Sequence, residues 1–181
     1  VLGPQGRGLG AQQSPAIEAL KAQGHWLLMG TFSKALGVSG AYLACSQAVK
    51  DYLINRCTGF VYSTAPSPFC AGAIAKSLEL VVQLDAQRAQ LLDHARTLRT
   101  TLHSLGLNTG NSSTHIVPVL AGTAKTALRW KAHLLENGLV CSAIRPPTVP
   151  PNTARLRLAL HQGISPLHLK ALIASLAQCI Q

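Results

Sequence analysis

Acidic residues are scarce in this sequence. Six Asp and Glu stand against 16 Lys and Arg in 181 residues, a formal net charge of +10. Charge of either sign is sparse, 12% of residues, where about a quarter is usual in soluble domains. Aromatics make up only 4%, and the basic residues are scattered singly. The chain therefore offers neither the stacking platform nor the basic stripe of a nucleic-acid binder. No apolar run reaches the roughly 18 residues of a membrane-spanning helix, and no secretory signal is present. The five cysteines, Cys45, Cys57, Cys70, Cys141 and Cys179, are odd in number and lack C-x-x-C spacing. That argues against a disulfide framework or a zinc site and for a reducing, cytoplasmic setting. The seven histidines also lack ligand spacing, so no metal is expected. Isolated arginines of this kind suit anionic small molecules: a phosphate, a carboxylate or a coenzyme A thioester.

What is plentiful is apolar. Hydrophobic residues make up 48% of the chain, and the mean hydropathy is +0.23. A compact chain of this length buries roughly 70% of its unfolded surface, enough for a real core. So little charge also fits faces that a partner or further chain covers. The sequence opens on Val1 rather than Met and reads as one cut from a longer polypeptide.

Residues 1–15 carry Gly3, Gly6, Gly8 and Gly10 and read as a loop. Residues 25–32 and 41–45 are apolar runs that read as strands around a functional loop. A helix is expected over residues 46–56 with Ser46 as its cap, then a short strand at 60–63. From Pro68 to Leu105 the chain is Ala/Leu-rich with no glycine after Gly72. Leu91, Ala95, Leu98 and Leu102 form one stripe there, so one long helix is expected to bridge two domains.

Beyond the loop at 106–113 the pattern reads strand 115–120, helix 124–137, strand 139–144, a proline-rich turn, strand 155–161 and a last helix. Ser165 caps that helix, Pro166 opens it, and Leu169, Leu172, Ile173, Leu176 and Ile180 form its stripe. The fold class is α/β. Residues 1–82 read as part of a larger sheet domain, and residues 83–181 as a small α+β domain.

Three segments carry chemistry. Thr31-Phe32-Ser33-Lys34-Ala35-Leu36-Gly37, followed by Ser39-Gly40, sets a lysine in a loop of small residues after an apolar strand. Crowding lowers a lysine's proton affinity and makes it a usable nucleophile, and glycines admit a flat ligand to the backbone. Tyr62-Ser63-Thr64-Ala65-Pro66 places adjacent hydroxyls before a helix start, where an anion is favoured. Ile144-Arg145-Pro146-Pro147-Thr148-Val149-Pro150 leads to a strand in which Leu156, Leu158 and Leu160 face one way. Arg155 and Arg157 face the other, about 6.6 Å apart by strand rise, as carboxylate-binding guanidinium groups would. Read alone, the three segments are better explained as a solvated surface lysine, a simple helix cap and a solvated basic strand face, respectively.

Together, T-F-S-K-A-L-G, Y-S-T-A-P and I-R-P-P-T-V-P with T-A-R-L-R-L resemble the α-oxoamine synthase family, over essentially the whole chain. The I-R-P-P-T-V-P segment resembles the branch that joins L-alanine to a pimeloyl thioester, making 8-amino-7-oxononanoate for biotin. The resemblance implies part of a pyridoxal-phosphate-dependent transferase large domain, joined by the long helix to the small domain. It implies a pyridoxal 5'-phosphate cofactor linked to Lys34, which later shuttles the substrate proton. Thr31 would contact the cofactor phosphate. Ser63 and Thr64 would reach a phosphate across a homodimer interface. Arg157 would clamp the amino-acid carboxylate, with Arg145 a second carboxylate or acyl contact and Thr148 touching the acyl chain. The family's acidic partner of the ring nitrogen and its ring-stacking histidine match no segment here, so these 181 residues alone are expected to be inactive. Relatives using glycine or serine, and a non-catalytic truncated chain, are the alternatives.

Overall fold

The structure, a computed structural model, describes residues 3, 6, 8, 15–24 and 26–180. The opening loop expected over residues 1–15 lies almost wholly outside them. The chain forms two units, residues 1–85 and 86–181.

In the first unit, helix α1 (Pro15–Ala22) is an element the sequence pattern did not reveal. Strands β1 (Leu27–Thr31) and β2 (Ala41–Cys45) pair antiparallel, from Leu27 opposite Cys45 to Thr31 opposite Ala41. Helix α2 (Gln47–Arg56) starts after Ser46, as expected, but the Ser46 hydroxyl makes no capping bond. The strand expected at residues 60–63 is instead a helical turn, α3 (Thr58–Val61). Phe60 and Val61 donate their N–H groups to the Cys57 carbonyl, at 2.9 Å each. Local Phe-Val-Tyr strand propensity loses here because it is weak without a neighbouring strand to pack on. Helix α4 (Pro68–Val81) is capped by the Ser67 hydroxyl, which accepts from Phe69 N, with proline in its first turn.

The single long helix expected to Leu105 is two. After α4 the residue 83 and 84 amides bond three residues back, Gln83 to Leu80 and Leu84 to Val81, and α5 (Asp85–Ser104) begins anew. No glycine or proline marks this break; Asp85 is a residue type suited to a helix start.

The second unit is α5, β3 (Ile116–Gly122), α6 (Ala124–Glu136), β4 (Ser142–Ile144), β5 (Ala154–Ala159) and α7 (Pro166–Gln178). Its sheet order is β3-β5-β4, antiparallel throughout. β4 covers only the last three residues of the strand expected over 139–144.

The ends of α5 and α6 share one device. Gly106 (φ +79°) and Gly138 (φ +74°) sit just past each helix. Leu107 and Leu139 then donate back to Leu102 and Leu134, satisfying carbonyls the helix leaves free. At the start of α7, Ser165 and His168 cap each other reciprocally, with histidine filling the place glutamate usually takes.

The α5 stripe is buried as its spacing implied: Ala95, Leu98 and Leu102 are fully covered, and Leu91 packs on the same core. Val117, Val119, Leu156 and Leu158 meet them from the sheet, with Trp130 and Leu134 from α6 and Leu169, Leu172 and Leu176 from α7. Ile180, expected in the α7 stripe, lies beyond the helix end and is exposed. Buried Thr109 is satisfied by His103, 2.6 Å away.

Leu156→Ala is expected to lower the stability of the second unit by about 2–5 kcal/mol, read from its urea midpoint. Leu167→Ala, exposed on α7, is expected to stay within about 0.5 kcal/mol. Equal losses at both positions would contradict this core.

Candidate functional site

Lys34 lies in the turn that joins β1 to β2. The ladder continues one pair past the strands through Phe32 N to Gly40 O at 2.9 Å, and Val38 N donates to Phe32 O at 3.3 Å. Those two bonds close the turn's base and leave residues 33–36 projecting. Lys34 is exposed within its unit, not crowded as its motif suggested. Its amine has no ion pair or hydrogen bond among the described residues. Crowding around a lysine must come from chain packed beyond its own hairpin, which local sequence does not specify.

Thr31 is the last residue of β1, three positions before Lys34, and is also exposed. Ser63 and Thr64 follow α3 in the same unit. The Ser63 hydroxyl donates to Phe60 O at 3.3 Å, and the cap of α4 is Ser67 rather than either of them.

The glycines of the motif divide into two kinds. Gly37 (φ +68°) has open space where a side chain would stand, so it leaves room beside the turn. Gly30 and Gly40 do not: each faces an aromatic ring or its edge. Those ring contacts are invisible to a reading of local sequence, although the pairing of two glycines with two aromatics across a hairpin is a usable signal in retrospect.

A cavity of about 610 Å³ lies between β2 and α2, lined by Tyr42, Leu43, Leu53, Ile54 and Phe60 among others. It is apolar and does not include Lys34.

The second unit gathers the other three residues. Thr148 N donates to Arg145 O at 3.0 Å, so both belong to one turn, with a cis Pro146–Pro147 bond inside it. That turn follows β4, and β4 pairs with β5 by Ser142 opposite Arg157 and Ile144 opposite Arg155. Arg145, Thr148 and Arg157 are all exposed. The expected alternation along β5 holds, with Leu156, Leu158 and Leu160 buried while Arg157 and Ala159 face out. Arg155 is half-buried and donates from Nε to Thr153 O at 2.9 Å, which leaves Arg157 the freer guanidinium.

His115, next to β3, is pushed below the usual imidazole range by burial, with the Arg157 charge adding to it. Burial also pushes the Cys141 and Cys179 thiols up. No metal-binding cluster of His, Cys, Asp or Glu occurs among the described residues. No helix of the described residues is long and apolar enough to cross a membrane.

The chain belongs to the aminotransferase class I and II family, whose profile matches residues 5–176.

An 8-amino-7-oxononanoate synthase of Gluconacetobacter diazotrophicus is 51% identical over 160 residues, covering 88% of this chain and 38% of that protein. The enzyme of the same name from Trichlorobacter lovleyi is 41% identical over 184 residues, covering 98% of this chain and 44% of its own length. The chain thus spans about two-fifths of the curated relatives it matches.

Among solved structures, serine palmitoyltransferase of Sphingomonas wittichii superposes with a TM-score of 0.83 at 23% identity. The match covers 97% of this chain and 43% of that one. The 8-amino-7-oxononanoate synthase of Francisella tularensis gives 0.81 at 24% identity, covering 99% and 51%. These establish a shared α/β fold, of which this chain forms a part.

Two outcomes are expected at Arg157. Arg157→Ala changes stability by less than about 0.5 kcal/mol, because an exposed side chain adds little. It also moves the NMR titration of His115 to higher pH, since a neighbouring positive charge is removed. The sign for stability follows from the lowered His115 value. The unfolded chain takes up the proton first near pH 6.5, so stability falls as the pH drops through that value. An unmoved His115 titration would place Arg157 out of its reach.

Proposed function

We propose that this chain is the lysine-bearing and C-terminal portion of a pyridoxal-phosphate-dependent synthase. It joins L-alanine to a pimeloyl thioester, carried on CoA or a carrier protein, and releases 8-amino-7-oxononanoate, CO2 and the free thiol. The observation that carries this reading is the Lys34 amine, held out on a closed hairpin turn with no partner among the described residues. The donor set fits the cofactor: a primary amine for its aldehyde, the hydroxyls of Thr31, Ser63 and Thr64 for its phosphate, and open space beside Gly37. When bound, the cofactor supplies an electron sink for a carbon that carries the amino group.

This chain's residues would hold the cofactor and orient the substrates. Lys34 Nζ would hold the cofactor aldehyde and, once the alanine amine had displaced it, would take the proton from the alanine α-carbon. Thr31 would donate to the phosphate. Ser63 and Thr64 would do so across a homodimer interface, so that two copies would complete each site. Arg157 pairs with the alanine carboxylate, and fixing that group selects which bond at the α-carbon breaks. Arg145 gives a second carboxylate or acyl contact, and Thr148 touches the pimeloyl chain. Five free thiols are consistent with a cytoplasmic enzyme of biotin synthesis.

A second reading rests on the fold likeness to serine palmitoyltransferase: the same site taking serine, or glycine with another acyl donor. The names of the relatives at 41–51% identity support alanine first.

The full-length polypeptide carrying this chain, assayed with alanine, glycine and serine against pimeloyl-CoA, is expected to turn over alanine best. A preference for glycine or serine would move the assignment to the second reading. Lys34→Ala is expected to cost roughly 10²–10⁴-fold in turnover, the range for a lost acid–base group, or more. Residues 1–181 by themselves, given cofactor and both substrates, are expected to form no product. Product from this segment alone would refute the division of labour proposed here.

A further inference from the structure

The hairpin that carries Lys34 has an unusual cross-strand pattern. Gly30 stands opposite Tyr42 in the ladder. Two residues further, Phe32 stands opposite Gly40, joined by the Phe32 N to Gly40 O bond. Residues two apart on a strand share a face, as do directly opposed residues. Gly30, Phe32, Gly40 and Tyr42 therefore occupy one face, each ring set against a glycine, and the two rings meet diagonally with centroids 5.3 Å apart and planes tilted by 34°.

A side chain at either glycine would displace a neighbouring ring from its seat. A Cβ at residue 30 would fall 2.5 Å from Tyr42 Cζ and 2.6 Å from its hydroxyl oxygen, far inside van der Waals contact. A Cβ at residue 40 would meet Phe32 at 3.3 Å and Ile74 of α4 at 3.2 Å, on a backbone with φ +144° that side chains rarely adopt. The Tyr42 ring thus occupies the space a side chain at Gly30 would take, one residue before Thr31 and four before Lys34.

We propose that Tyr42 is a positioning residue for Lys34. Its ring, seated on Gly30 and against Phe32, sets the spacing of the strands where the Lys34 turn leaves the ladder. The inference rests on Lys34 being the cofactor attachment point. The tyrosine hydroxyl is not needed for it; the flat ring is. A misplacement of the amine by an ångström is enough to slow its reaction with a fixed aldehyde.

The test is the rate at which the full-length polypeptide carrying this chain loads pyridoxal 5'-phosphate, followed by the absorbance of the lysine-linked cofactor. Melting temperature is measured beside it. Tyr42→Phe is expected to load within about twofold of the parent, and Tyr42→Leu, which keeps bulk but not the flat ring, about tenfold more slowly. Gly30→Ala adds one methyl group under the ring and gives an independent second arm, with the same slow loading expected should Tyr42→Leu not fold. Slow loading in Tyr42→Leu or Gly30→Ala, restored in Tyr42→Phe at similar melting temperature, supports the positioning role. Loading of Tyr42→Leu or Gly30→Ala at the parent rate overturns it. A parent that never links the cofactor sinks the Lys34 reading itself, a different result from a parent that loads alongside equally fast variants.

Discussion

A two-stranded ribbon cannot bury itself, and an isolated hairpin is at best marginally stable in water. Three consecutive residues of β1, Leu27, Leu28 and Met29, are exposed in the first unit, as are Tyr42 and Leu43 of β2. Successive residues on a strand face opposite ways, so both faces of this ribbon are apolar. Strands with that composition belong in sheets covered on both sides. Among the described residues of the first unit, only Val81 is a buried hydrophobic. The turn that carries Lys34 is therefore built on a ribbon whose flanks are apolar and open among the described residues, and in the function proposed above the lysine would gain its pocket only when those flanks are covered. The low charge of the sequence is the same fact seen in composition.

The second unit obeys the opposite logic. Helix stripes, one sheet face and reciprocal caps agree with one another, and they close a core from residues within about a hundred positions of sequence. Consistency between local pattern and packing of this kind specifies a fold. The outward face of β5 is then free to carry Arg157, and the turn before it Arg145 and Thr148, at little cost to stability. The proposed reactive amine and the proposed carboxylate-binding guanidinium groups thus fall in different units of unequal self-sufficiency.

How much of this was legible depended on range. The α5 and α7 stripes, the Ser165 cap and the alternation at Leu156 to Leu160 are short-range patterns, and they were readable. The break at residues 82–84 carries no glycine or proline. The 60–63 segment has strand propensity but no strand beside it. The exposure of Lys34 depends on chain that the motif does not contain. In each of those cases local preference was silent or was overridden. The chemistry proposed at Lys34, Arg145, Thr148 and Arg157 rests on a family resemblance, because a lysine after a strand and arginines on a strand face are ordinary surface features. The glycine–aromatic pairing of Gly30 with Tyr42 was present in the sequence but acquires meaning only once the register is fixed.

The account stands on a covalent bond between one named amine and one aldehyde. The most direct test is to load the full-length polypeptide carrying this chain with pyridoxal 5'-phosphate, reduce it with borohydride, digest it and map the modified peptide by mass spectrometry. The expected result is a single modified lysine, Lys34, with no label elsewhere. Label at Lys21, Lys50 or Lys76 in its place, or no label at all, would contradict the account.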